Sequence, residues 1–199
     1  MTVLAVAGPF SSSPLWYLTR STGITAFVVL TLTTVFGIAA TQRALASPSW
    51  PRFATQQLHR NVSLLAMVLL LLHIVTTLLD SYVNVGWLSI VIPFWSSYRT
   101  TGVALGTVAF DLLLLVVITS LLRLRMSAIS WRLIHYTSYA AWPLALLHFL
   151  TTGTDTAHGR WGIWLGIGGA AVVLAAIWLR VRTSNHPHPV ASVARGALR

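Results

Sequence analysis

The chain has no cysteine, no lysine and no glutamate, and its 199 residues include only three acids, Asp80, Asp111 and Asp155. Without thiols it forms no disulfide, holds no iron–sulfur cluster and offers no thiolate metal ligand. Charge of any kind is scarce: 8% of residues are charged, against about 25% in an ordinary soluble domain. Because 56% are hydrophobic, a soluble domain is excluded and a protein embedded in the lipid bilayer is left. The net charge of +10 comes entirely from arginine. These arginines are scattered between apolar segments instead of lining one polar module, so nucleic acid is not a partner. They serve as topology signals at the ends of spans.

Five apolar stretches are present, each close to the ~20 residues that cross a bilayer as a helix. They run from Leu15 to Ala40, Gln57 to Leu79, Thr101 to Leu122, Trp131 to Leu150 and Trp161 to Leu179. The expected fold is an all-α integral membrane protein, a five-span transmembrane helical bundle in one compact unit. Residues 1–14 form an N-terminal extracytoplasmic segment, 15–182 the transmembrane domain and 183–199 a disordered cytoplasmic tail. The segment before Pro14 lacks the basic start of a signal peptide, and Gly8 and Pro9 interrupt its apolar run. Val85 to Trp95 is apolar but too short to cross, and it ends in Pro93, Phe94 and Trp95. It reads as an interfacial or re-entrant segment with its aromatics at headgroup level.

Arginine placement sets the expected orientation. Arg43, Arg52 and Arg60 flank the first connection, Arg123, Arg125 and Arg132 the third, and Arg180, Arg182, Arg195 and Arg199 the tail. The second connection offers only Arg99 against Asp80, and the fourth only Arg160 against Asp155. The positive-inside rule puts the N-terminus outside and the C-terminus in the cytoplasm of a bacterial-type plasma membrane.

Four histidines lie inside two of the spans. His59 and His73 are 14 residues apart in the second, and His135 and His148 are 13 apart in the fourth. At ~1.5 Å per residue both gaps span roughly 20 Å. Two such helices side by side hold His59 level with His135 near the cytoplasmic face, and His73 level with His148 near the outer face. A pair of neutral imidazoles across two helices is a socket for haem iron. A bare ion is a poor alternative, since each level offers two ligands where structural zinc takes four. One point does not fall out of ideal geometry: at ~100° per residue, 14 positions return within about 40°, but 13 miss by about 140°. Pro143 lies between His135 and His148 and is expected to kink or re-phase that helix.

The histidine spacing on alternate spans resembles the ferric reductase and NADPH oxidase transmembrane domain. The resemblance covers roughly Leu15 to Leu179 and includes RSTG (Arg20 to Gly23), PFWSSYR before the third span, and SLLRLR with WRLIHYTSYAAW leading into the fourth. It implies two b-type haems, the inner held by His59 and His135 and the outer by His73 and His148. Arginines suit haem propionates because a guanidinium clamps a carboxylate with two charge-assisted bonds. Arg60 and Arg132 are the candidates at the inner level, Arg20 and Arg99 at the outer. Trp142 lies between the levels, as packing or as a stepping stone for electrons. Asp111, in mid-span, demands a partner or a proton. His158, in the outer connection, reads as a solvated loop residue, with contact to an acceptor or metal ion as the alternative, and NHPHP (185–189) reads as part of the disordered tail, with opportunistic metal binding as the alternative.

Full-length members of that family carry a flavin and nicotinamide module after the last span. No Gly-rich dinucleotide fingerprint is present in this sequence, and no flavin site is identified in it. The resemblance therefore implies the electron-transfer membrane subunit of an oxidoreductase. It would be reduced by a separate flavoprotein or by quinol, and would deliver electrons to ferric iron, oxygen or an extracytoplasmic redox partner. Two other classes remain: a quinone-reactive cytochrome b, and a haem-free transporter or assembly factor with bundle histidines. Reducible b-type absorbance separates the last from the others.

Overall fold

The computed structural model describes residues 14–41, 52–80, 85–157 and 160–184. His158 and the histidines of the 185–189 tail lie outside them. Among the described residues every regular element is helical. In chain order these are α1 (Pro14–Ala40), α2 (Arg52–Leu79), α3 (Thr100–Leu121), α4 (Ala128–Tyr136), α5 (Ser138–Thr152), the short α6 (Thr154–Ala157) and α7 (Trp161–Ser184). Four of them, α1, α2, α3 and α7, are long and apolar enough to cross a membrane. Their outer faces carry bare apolar side chains, such as Leu65, Val68 and Leu72 on α2 and Trp164 and Leu174 on α7. A helix so apolar and so little covered by protein is at home in lipid.

The stretch expected as one span from Trp131 to Leu150 is two helices, broken at Thr137. Pro143 sits inside α5, which runs through it, so the interruption falls six residues before the proline. At the break Thr137 donates to the Ile134 carbonyl at 2.7 Å and Ser138 to the His135 carbonyl at 2.7 Å. The amides of Thr137 and Ala140 bond three residues back rather than four. Such tighter turns advance ~120° per residue, which re-phases the helix in the sense needed to bring His148 round to the side of His135. Pro143 contributes one turn downstream, by leaving the Tyr139 carbonyl without its helical donor.

The helices form two packed pairs, α1 with α2 and α3 with α5. On one side α1, α5 and α7 meet around a core of Phe27, Trp142, Phe149 and Val173. The Phe27 ring stacks on Phe149 at 4.9 Å and on Trp142 at 6.1 Å. On the other side α2 packs on α1 and is held apart from α3 and α5. The space left between them is a long cavity that runs from one end of the bundle to the other.

The segment before α3 makes a 3-10 turn over Trp87–Ile90 and then a series of bends, with Phe94 in the left-handed region. Its Trp87, Phe94 and Trp95 side chains are exposed. Its backbone is anchored to α3 where Thr107 donates to the Ser89 carbonyl at 2.6 Å.

Candidate histidine sockets

All four span histidines line the cavity, in two facing pairs. The ring centroids of His59 and His135 are 6.3 Å apart with planes at 78°, and those of His73 and His148 are 6.3 Å apart at 76°. No hydrogen bond joins the rings within either pair. A direct N–H···N bond of about 2.9 Å would hold the centroids at about 5 Å. Two bonds of about 2.0 Å from imidazole nitrogens to one first-row metal, with roughly 1.1 Å more to each ring centre, separate trans centroids by roughly 6.2 Å. Each pair therefore has the spacing of two imidazoles sharing one metal atom.

Three of the rings are held by the same device. The Nδ1 atoms of His73, His148 and His59 lie 2.8, 2.8 and 3.0 Å from the carbonyl oxygens of Thr19, Gly102 and Thr33. In every case a glycine follows four residues after that carbonyl: Gly23, Gly106 and Gly37. The ring rests on it. A Cβ there would come within 2.8 Å of His73 at Gly23, 2.6 Å of His148 at Gly106 and 3.0 Å of His59 at Gly37. A carbonyl only accepts, so Nδ1 carries the hydrogen and Nε2 keeps its lone pair for a ligand.

His135 departs from this pattern. Its Nδ1 is buried and has no hydrogen-bond partner among the described residues. The ring is held by stacking on Trp131, at 4.9 Å and 24°, and the Arg123 guanidinium lies 4.4 Å over the same indole.

The cavity holds about 1680 Å³, more than the ~300–1,000 Å³ of a pocket for one small molecule. Between the two histidine levels its wall is apolar, with Phe27, Met67, Leu70 and Phe110 among the lining residues. Among the described residues no cluster of three or more His, Cys, Asp or Glu could hold a bare ion. A metal in either socket must bring its other ligands with it. A flat, largely apolar macrocycle that fills four coordination positions and leaves two axial ones fits both the donor set and the space.

The expected arginines divide. Arg60 and Arg132 line the cavity at the His59 end and have no hydrogen-bond partner among the described residues. Arg20 lines it at the His73 end, but its guanidinium is engaged by the Asp155 carboxylate. Nε donates to Oδ2 at 2.6 Å and Nη2 to Oδ1, and Trp161 Nε1 also donates to Oδ1 at 2.9 Å. Arg99 is turned away from the cavity and donates to the Thr151 carbonyl at 2.7 Å, which removes it from the set of cavity cations. Trp142 also lies off the cavity. Its indole donates to Thr31 at 3.0 Å within the apolar core, so its place is packing. Asp111 is half-buried on α3, off the cavity, with no partner among the described residues.

A family model described as a domain of unknown function (DUF8596) matches residues 14–155. The chain belongs to that family. No curated protein and no solved structure matches the chain. The DUF8596 match takes in all four histidines, the three glycines and Asp155, and leaves α7 outside it. The sockets are thus built wholly within the family's own segment. The sequence carried a sign of the glycines that spacing arguments about histidine pass over. Gly23 and Gly37 on α1 are 14 residues apart, the same interval as His73 and His59 on the antiparallel α2. Arg123, Trp131 and Asp155 had no such sign, because their roles depend on which helices meet.

Proposed function

We propose that this DUF8596 chain is a dihaem b-type cytochrome that carries electrons across a membrane, with α4 and α5 together making a fifth crossing. The observation that carries this is the repeated 6.3 Å spacing of two histidine pairs with near-perpendicular rings. His59 and His135 would hold one haem, His73 and His148 the other. The likeness of the histidine spacing to ferric reductase and NADPH oxidase transmembrane domains supports the same reading. Bound there, haem iron would supply reversible one-electron chemistry. The protein's own part is to fix the imidazole tautomers, to keep the space between the levels dry, and to stack the levels about 20 Å apart along α2. Arg60 and Arg132 stand free at the His59 end to meet propionates, and the Arg20–Asp155 pair closes the opposite end.

The arginine-rich end, with Arg60, Arg123, Arg132, Arg180 and Arg182, is the cytoplasmic one in this proposal, and Asp80 and Asp155 mark the outer face. The plasma membrane of a bacterial-type cell is the setting. The electron donor is a separate flavoprotein or quinol on or near the cytoplasmic side. The acceptor outside is ferric iron, oxygen or an extracytoplasmic redox protein.

A pyridine haemochrome assay on purified protein, with haem counted per chain, tests the proposal. About two b haems per chain are expected, falling to one when His148 or His59 is replaced by alanine. A folded, haem-supplied protein that carries none would overturn the assignment and favour a haem-free transporter or assembly factor. Reduction by a quinol analogue without any flavoprotein would make it a quinone-reactive cytochrome b.

A further inference from the structure

The two sockets share their spacing and ring angle but differ in what stands behind the rings. At the His73–His148 level both Nδ1–H groups donate to backbone carbonyls, those of Thr19 and Gly102. At the His59–His135 level only His59 does so, to Thr33, while the buried Nδ1 of His135 has no acceptor among the described residues. An imidazole that donates from its far nitrogen gains anionic character and becomes a stronger ligand, which favours the more highly charged, oxidised state of a bound metal.

The surrounding charge points the same way. Behind His135 stand Trp131 and, over its ring at 4.4 Å, the cation of Arg123. Arg60 and Arg132 line this end of the cavity without a carboxylate partner among the described residues. At the other end the Arg20 cation is matched by Asp155, and Asp80 lies buried in the cavity wall. Positive charge disfavours the oxidised metal. Propionates would arrive with both haems, so they do not create the difference.

Resting on the dihaem reading, we infer that the two haems are unequal by construction. The one at the His59–His135 socket has the higher midpoint potential, set by the orphaned Nδ1 of His135 and the Arg123–Trp131 stack. The first electron to enter the chain then rests at that level, and the His73–His148 haem is reduced only after it. Arg123 and Trp131 are positioning and tuning residues that act through the His135 ring.

Potentiometric titration of the purified dihaem protein, followed by visible absorbance and by EPR, tests this. Two resolved midpoints are expected. The higher survives in His148→Ala, which empties the other socket. In Arg123→Gln the ratio of reduced to oxidised haem at the higher midpoint falls several-fold at fixed potential, while the lower midpoint stays in place. Trp131→Phe keeps the stack and is expected to retain the order, as a check on packing loss in the other variants. Two haems with equal midpoints, or with the higher one retained in His135→Ala, overturn the inference and leave the dihaem assignment standing. Protein without haem overturns both.

Discussion

At the scale of single residues, what lies behind a histidine in a membrane helix decides whether its outer nitrogen is free to act as a ligand. Gly23, Gly37 and Gly106 each remove a side chain where an imidazole has to lie flat on a helix backbone, and the carbonyl one turn earlier takes its Nδ1–H. The device needs the absence of Cβ. Gly106→Ala, with a methyl 2.6 Å from His148 Nδ1, is expected to push the ring off the Gly102 carbonyl and lower haem from about two per chain to about one. Gly168→Ala, where no atom lies within 4 Å of the new carbon, is expected to keep both, and the haemochrome assay reads the difference. Ring orientation gives a second expectation. With ring planes at 78° and 76°, a haem held between either pair would have nearly perpendicular imidazoles, which would leave the iron's two π-type d orbitals almost equal in energy. Both ferric haems should then show a low-spin EPR signal dominated by one large g value. A rhombic spectrum, the mark of parallel rings, would contradict this geometry.

Among the elements, the α4–α5 pair decides whether the second ligand of each socket reaches its partner. A continuous helix would aim His135 and His148 about 140° apart. The sequence shows that this conflict exists, because the interval of 13 is plain to see, but it points to Pro143 as the cure. The structure puts the break at Thr137, where neighbouring hydroxyls take the last carbonyls of α4. Hydroxyl-to-carbonyl bonding of this kind recurs at many helical Thr and Ser residues among those described, as at Thr25, Thr33 and Thr76, so composition alone does not mark the one place where a helix ends. Pro143 still matters, since an amide at that position would satisfy the Tyr139 carbonyl and favour an uninterrupted helix. Pro143→Ala is expected to lower occupancy of the His59–His135 socket, seen as lost haem absorbance, with the His73–His148 haem kept. Occupancy unchanged at both levels would assign the break to Thr137 and Ser138 alone. The long spans were legible for the opposite reason: α1, α2, α3 and α7 owe their existence to apolar length, a property of each segment by itself.

The whole molecule is a cavity held between two helix pairs, and it needs a fastening at each end. At the His73 end that fastening is Asp155, almost fully buried, which accepts both from Arg20 on α1 and from Trp161 at the start of α7. One carboxylate thus ties the first helix, the end of α5–α6 and the last helix together. Its partner lies 135 residues away, so no spacing rule pairs them, and Arg20 by itself reads as a cation awaiting a ligand's carboxylate. The backbone of Gly162 packs against Asp155, where a Cβ would stand 3.1 Å from its carbonyl carbon, so the fit there is close. Asp155→Asn keeps an acceptor for Trp161 but leaves the guanidinium half-covered and unmatched. Losing a charge-assisted pair of this kind costs about 2–3 kcal/mol, less than a fully buried pair because Arg20 keeps some contact with its surroundings. A lower melting temperature in detergent is therefore expected. If Asp155 acts only as a fastening, potentiometric titration of the variant, below its melting temperature and followed by visible absorbance, will show both haems with unshifted midpoints. A midpoint of the His73–His148 haem that rises in Asp155→Asn would instead make the carboxylate part of that haem's electrostatic surroundings, as the unequal-socket inference requires. The second outcome is the one expected, because the freed Arg20 cation lines the same cavity as His73 and His148.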